Sequence, residues 1–256
     1  MADSLFIVTG ASRGMGEAIA LQLLRPGHVL LGIARGSSGP LAAQAVRQRA
    51  SVEQWTRDLA QPAAVADELA GWLRSFDPAR FGAATLIHNA ALVGPIGPVD
   101  RADAADIAAA LRVGLEAAVL LAGAFLRGTR GWHAMHQREV KVLNISSGLG
   151  RRAMAGSAVY CAAKAGLDHF TRALALDEAQ QPHGAKVVSL APGVIDTAMQ
   201  AELRASDPGL FPDRDTFVQL KDGGQLLSPE AAARRVLDYL AREDFGTHPV
   251  ADVREV

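Results

Sequence analysis

Tyr160 and Lys164 lie four residues apart. On a helix that spacing puts a phenol and an ammonium on one face, where they can serve one site. The chain holds two tyrosines and four lysines, so the pairing stands out from the composition. A free phenol ionises near pH ~10, too high to trade protons easily at neutrality. A fixed cation beside it favours phenolate and lowers that value. The expectation is therefore Tyr160 as general acid/base and Lys164 as its electrostatic partner. Upstream, Asn144-Ile145-Ser146-Ser147-Gly148 reads as a strand running into a turn. There the Ser147 hydroxyl can hydrogen-bond a substrate oxygen.

A second constellation sits near the N-terminus: Thr9-Gly10-Ala11-Ser12-Arg13-Gly14-Met15-Gly16. Gly10 can make a tight turn, and Gly14 and Gly16 allow close backbone approach to phosphate oxygens. A helix that starts there offers free N–H groups and a positive dipole end to an anion. The spacing is not G-x-G-x-x-G, and the alternative is a glycine-rich turn holding no ligand. Arg35 follows the second predicted strand, where an adenosine ribose lies in such folds. A carboxylate there binds the ribose 2′-hydroxyl, whereas arginine suits a 2′-phosphate. Ala34 precedes it, so no acid competes. Arg13 adds a second positive charge, and Ser37 and Ser38 offer hydroxyls. The pattern favours NADP(H) over NAD(H).

These residues need elements to hold them. Apolar runs at 5–8, 28–34, 51–56, 84–88, 140–145, 186–190 and 247–250 read as strands. Segments 18–24, 40–49, 63–76, 104–127, 157–180 and 229–242 read as helices. Strand alternating with helix predicts an α/β fold: one Rossmann-type, doubly wound, mainly parallel seven-stranded sheet with helices on both faces. One domain, 1–256, accounts for it. Segment 198–227 has weak periodicity, two prolines and a Gly-Gly pair. It is expected to be a substrate lid, poorly ordered without ligand.

Composition narrows the function classes. The 256 residues carry 26 basic and 27 acidic side chains, a net charge of −1. That balance argues against a nucleic-acid partner. Half the residues are apolar and 21% are charged, which argues against a disordered chain. The single cysteine, Cys161, excludes an intramolecular disulfide. Met-Ala-Asp-Ser lacks the start of a signal peptide, and the longest apolar run, 113–126, carries Glu116. The expectation is a cytoplasmic protein with no membrane span. His133 and His136 form an H-x-x-H without a third ligand nearby, so no metal is expected. Cys161 reads as a packing residue and Arg151 and Arg152 as surface charges or partners of an anionic substrate. Met154, Met199, Phe211 and Phe217 are candidates for an apolar substrate pocket.

With these residues on the page, the sequence resembles the short-chain dehydrogenase/reductase family along nearly its whole length. The family's T-G-x-x-x-G-x-G matches 9–16, its serine and Y-x-x-x-K match Ser147, Tyr160 and Lys164, and its Asn-Ala segment matches Asn89-Ala90. Its aspartate after the third strand matches Asp58-Leu59, and its proline-glycine motif matches Pro192-Gly193-Val194-Ile195-Asp196-Thr197. The tail Asp252-Val253-Arg254-Glu255 is similar to the end of sepiapterin reductases and bacterial benzil reductases, which tilts the substrate, a ketone, aldehyde or α-dicarbonyl, toward a bulky or α-dicarbonyl compound, with a generic oxoacyl or sugar-like ketone as runner-up. The resemblance implies that Asp58 contacts adenine, Asn89 and Ala90 lie along the ribose, and Ile195 and Thr197 hold the nicotinamide carboxamide. Lys164 would hold the nicotinamide ribose, Ser147 would polarise a small-molecule carbonyl and Tyr160 would protonate it. It also implies a homodimer or homotetramer through helices 104–127 and 157–180. One departure stands out. The family's relay asparagine corresponds to Gly114, which has no side chain for that role but can kink a helix.

Overall fold

Apolar residues that alternate along each strand build a sheet covered on both faces. The computed structural model describes residues 3–136 and 139–255. Its strands are β1 (Asp3–Thr9), β2 (His28–Ala34), β3 (Ser51–Thr56), β4 (Phe81–His88), β5 (Glu139–Ile145), β6 (Lys186–Ala191) and β7 (Val250–Asp252). The helices are α1 (Gly14–Leu23), α2 (Gly39–Gln48), α3 (Pro62–Arg74), α4 (Ala104–Leu111), α5 (Ala117–His136), α6 (Ala158–Ala179), α7 (Ala198–Ala205), α8 (Arg214–Asp222) and α9 (Pro229–Leu240). Leu5 and Ile7 of β1, Leu31 and Ile33 of β2 and Val142 of β5 pack on one face with α3 and α5. Val8, Leu30 and Leu143 turn to the other, against α1 and α9. That period of two on both faces is why the strands read as continuous apolar runs.

The sheet is seven-stranded in the order β3-β2-β1-β4-β5-β6-β7. All pairings are parallel, so the expected doubly wound Rossmann sheet is present and has no antiparallel edge. The winding reverses between β1 and β4. Such a switch point opens a crevice beyond the carboxyl ends of the strands.

Three elements differ from expectation. The helix expected over 104–127 is two helices joined by a π turn at Arg112–Glu116, and it runs on to His136. Gly128 and Gly131 look like stops, yet tertiary packing overrides them. A Cβ at Gly128 would stand 2.7 Å from Leu73 of α3, so glycine lets the helices close. Just beyond, Trp132 stacks on Phe81 at 5.5 Å. This α4–α5 stretch, Ala104–Trp132, is long and apolar enough to cross a membrane, but more than half of its most apolar window is buried in the fold. The last strand begins at Val250 rather than 247, because Asp244 to Thr247 fold into a turn closed by Thr247 N–H donating to the Asp244 carbonyl. Segment 198–227 carries α7 and α8. It closes on a bridge between Ile195 and Leu227, with Phe211 fully buried beneath.

Candidate active site

A cleft of about 800 Å³ opens at the switch point. At one end lies the β1–α1 turn. Gly14 adopts φ +57°, and a Cβ there would meet only the Thr197 methyl at 3.7 Å, so the space in front of it is open. Gly16 is required for the opposite reason. A Cβ there would stand 2.2 Å from the Gly10 carbonyl. Arg13 at the N-cap of α1 makes no side-chain cap. The N–H groups of Gly14, Met15 and Gly16 therefore lack intrahelical acceptors and face the cleft with the positive end of the helix dipole. This is a cradle that a pyrophosphate fits. Thr9 locks it from below: its hydroxyl accepts from the N–H groups of Asn89 and Ala90, both at 3.0 Å. The Asn89 amide donates to the Thr9 carbonyl at 3.0 Å.

Ser12, Arg13, Arg35, Asp58, Leu59, Asn89 and Ala90 line this half of the cleft. Arg13 and Arg35 are exposed, and neither has an ion-pair partner among the described residues. Arg57, also at the wall, is held by Glu68 at 2.8 Å. Of the two expected hydroxyls, only Ser37 remains available. Ser38 is buried, accepts from Leu41 N–H at 3.0 Å and donates to Glu17 at 2.5 Å. It caps α2 instead.

The other half gathers Ser147, Tyr160 and Lys164, with Pro192, Gly193, Ile195 and Thr197 opposite. Ser147 ends the β5 segment, where its hydroxyl accepts from Leu149 N–H at 3.2 Å and also interacts with Tyr160. Lys164, one turn on from Tyr160 in α6, lies 5.7 Å from the phenol ring centre. Its ammonium is buried and donates to the Ile145 carbonyl at 2.7 Å. Burial lowers the Lys164 pKa to about 8, with Asp168 working against it. Burial also pushes Tyr160 up to about 12, opposed by the Ser147 hydroxyl. The expectation of a lowered phenol pKa is therefore corrected. Burial outweighs the Ser147 hydroxyl, and Tyr160 is held protonated. That state suits an acid in the reductive direction.

Under this wall runs the π turn. Ala117 N–H donates to the Arg112 carbonyl, five residues back, so one turn is widened around Gly114. A Cβ at Gly114 would stand 3.3 Å from the Ala163 Cβ, next to Lys164. His88 lies below. The Thr9 hydroxyl has both lone pairs occupied, so its proton points at His88 Nδ1, 3.3 Å away. This assigns the ring hydrogen to Nε2, which has no partner at hydrogen-bond geometry. Burial, then the Lys164 charge, drives the His88 pKa down to about 3, although the Val113 carbonyl of the π turn pulls it up.

The profile of the short chain dehydrogenases matches residues 4–208. The chain belongs to the short-chain dehydrogenase family. A benzil reductase ((S)-benzoin forming) from Bacillus cereus is 32% identical over 97% of this chain and 98% of its own. Sepiapterin reductase from Meriones unguiculatus is 31% identical, covering 94% of each chain. Among solved structures, a short-chain dehydrogenase/reductase from Burkholderia vietnamiensis is 34% identical with a TM-score of 0.65, over 100% of this chain and 99% of its own. The chain thus stands among oxidoreductases of carbonyl and alcohol groups that use a nicotinamide dinucleotide.

Within this short-chain dehydrogenase, the residues singled out for the dinucleotide and the acid/base pair reach the same cleft, Ser37 and Ser38 excepted. The apolar candidates divide. Met154, Met199 and Phe217 line it, whereas Phe211 is buried beside Phe217. Cys161 packs against that cluster. The side chains of His133 and His136 lie outside the described residues. Arg151 is not a free surface charge. It donates to the Ala251 carbonyl at 2.8 Å and pairs with Asp168 at 3.3 Å. Sequence reasoning missed Arg254, which lines the cleft, and the hub roles of Thr9 and His88. The tail motif carried a signal for Arg254, but only as a likeness, since nothing local ties residue 254 to Ser147.

Proposed function

We propose that the protein is an NADPH-dependent reductase of bulky ketones and α-dicarbonyls, reversible as an alcohol dehydrogenase. One observation carries this reading: Ser147, Tyr160 and Lys164 converge at one end of a cleft whose other end is a phosphate cradle flanked by unpaired arginines. Arg13 and Arg35, with Ala34 in place of an acid, favour a 2′-phosphate. The glycine turn would hold the pyrophosphate, and Ile195 and Thr197 the nicotinamide end. The cofactor supplies the hydride. The Ser147 hydroxyl orients the substrate carbonyl, and Tyr160 gives its proton to the oxygen as that oxygen gains negative charge. The Lys164 ammonium then stabilises the phenolate left behind. The benzil and sepiapterin reductases among the relatives support a bulky dicarbonyl. Segment 198–227 serves as a lid, because Met199, Gln200, Leu203 and Phe217 form one wall of the cleft.

The test is NADPH oxidation against a panel of diketones, quinones and aldehydes, with Tyr160→Phe as control. Wild type is expected to turn over at least one bulky dicarbonyl, faster with NADPH than NADH. Tyr160→Phe should lose at least about a hundredfold in kcat, the usual scale of general acid catalysis, and keep NADPH affinity. Wild-type turnover by that variant would remove Tyr160 as the acid. Gly114 favours a second reading, a dinucleotide-binding sensor without turnover. Tight NADPH binding with no oxidation across the panel would select it.

A further inference from the structure

The substrate end of the cleft is built to receive a negative charge. Arg152 and Arg254 line it with Lys164, and the only carboxylate lining the cleft among the described residues is Asp58, at the adenosine end. Arg254 is positioned rather than loose. Its Nε and Nη2 donate to Asp252 at 2.8 and 2.5 Å, and Asp252 is 2% exposed at the carboxyl end of β7. Arg151 lies 3.8 Å from Asp252 but closer, at 3.3 Å, to Asp168, so Asp252 chiefly serves to orient Arg254. The Nη1 of Arg254 has no protein partner among the described residues. Its Nη2 lies 3.8 Å from where a Gly148 Cβ would be, on the residue following Ser147. Arg152 is exposed and has no ion-pair partner among the described residues. A planar carboxylate matches a guanidinium edge better than it matches a point charge. Beside the arginines, Leu149, Met154, Leu203 and Phe217 offer apolar wall.

We infer that the preferred substrate is a 2-oxo acid with an apolar side chain, its carboxylate held by Arg254 with Arg152 adding attraction at the rim. The inference rests on the reductase reading above and names the substrate class of that site. Attraction at a half-open mouth also implies sensitivity to salt, since screening acts over about 10 Å at 0.1 M.

The experiment compares kcat/KM for phenylglyoxylate and its methyl ester, which differ in charge but little in shape, using NADPH and the full chain. Wild type is expected to prefer the acid, with the preference shrinking as salt rises. In Arg254→Gln the acid-to-ester ratio should fall at least tenfold. Arg254→Lys should retain only the part that charge alone supplies, and Arg152→Gln should lose part. NADPH affinity and thermal unfolding verify that each variant is folded. A wild type that reduces the ester as well as the acid overturns the inference, as does a ratio unmoved in Arg254→Gln. In either case the reductase reading stands. No turnover of either compound or of any carbonyl in the panel sinks both.

Discussion

Lys164 is a buried cation four residues from a phenol, and its environment makes it a titrating group near neutrality. Its folded pKa is about 8 against an ordinary 10.5. Between those values the unfolded chain binds more protons than the folded one, so raising the pH through that window stabilises the fold. Below about pH 8 both states carry the charge, and the folded state bears the full desolvation cost. Relative to Lys164→Met, wild type should therefore gain stability from pH 8 to pH 10, read by urea unfolding. A parallel curve for the two proteins would show that Lys164 keeps its ordinary pKa. Catalysis should run the other way. Reduction needs the ammonium to stabilise phenolate, so kcat should decline above an apparent pKa near 8. Lys164→Arg should push that decline upward if it remains active.

The elements around Lys164 show which parts of the structure were legible and which were not. The Tyr160 and Lys164 spacing and the glycine turn are local patterns, and their placement follows once strand and helix are assigned. The π turn at Arg112–Glu116 is only half legible. Gly114 flags a special position, but a widened turn depends on its fit against α6. The run of α5 past Gly128 depends on Leu73 and Phe81, both far away in sequence, and was invisible. The ionisation of Tyr160 was misjudged for a similar reason: neighbouring charge can be read from spacing, but burial comes from the whole fold. The π turn invites its own test. Alanine in place of a helical glycine normally stabilises by about 0.5–1 kcal/mol, but at Gly114 the contact with Ala163 works against that gain. Leucine there would force the π turn off α6 and is expected to cost about 1–3 kcal/mol, as overpacked cores do. Gly114→Leu should also weaken turnover, since Ala163 adjoins Lys164 on α6. An unchanged urea midpoint would mean that the turn has slack the geometry does not show.

At the scale of the whole molecule, the sheet is closed on both faces, yet α5 and α6 still show apolar side chains outward. Leu176 of α6 is 70% exposed and Val119 of α5 is 37% exposed. A shallow groove beside Val119 is lined by Leu111, Leu115 and Leu120. These are the two long segments expected to pair between copies, and we propose that they do so about a twofold axis. In an isologous contact each residue is used twice, so one substitution alters both halves of the interface. Leu176→Glu together with Val119→Glu would place like charges across that axis. Light scattering should give wild type a multiple of 26.8 kDa and the double variant a value near 26.8 kDa. Both sites are exposed in the single chain, so the variant is expected to fold and to bind NADPH. A wild type that is monomeric at micromolar concentration would assign these apolar residues to no interface. A variant that stays oligomeric would move the contact to another face. Ser147, Tyr160, Lys164 and the phosphate cradle come together within one chain, so the separated copies should keep turnover. Loss of activity on separation would mean that pairing holds α6, and with it Tyr160 and Lys164, in working position.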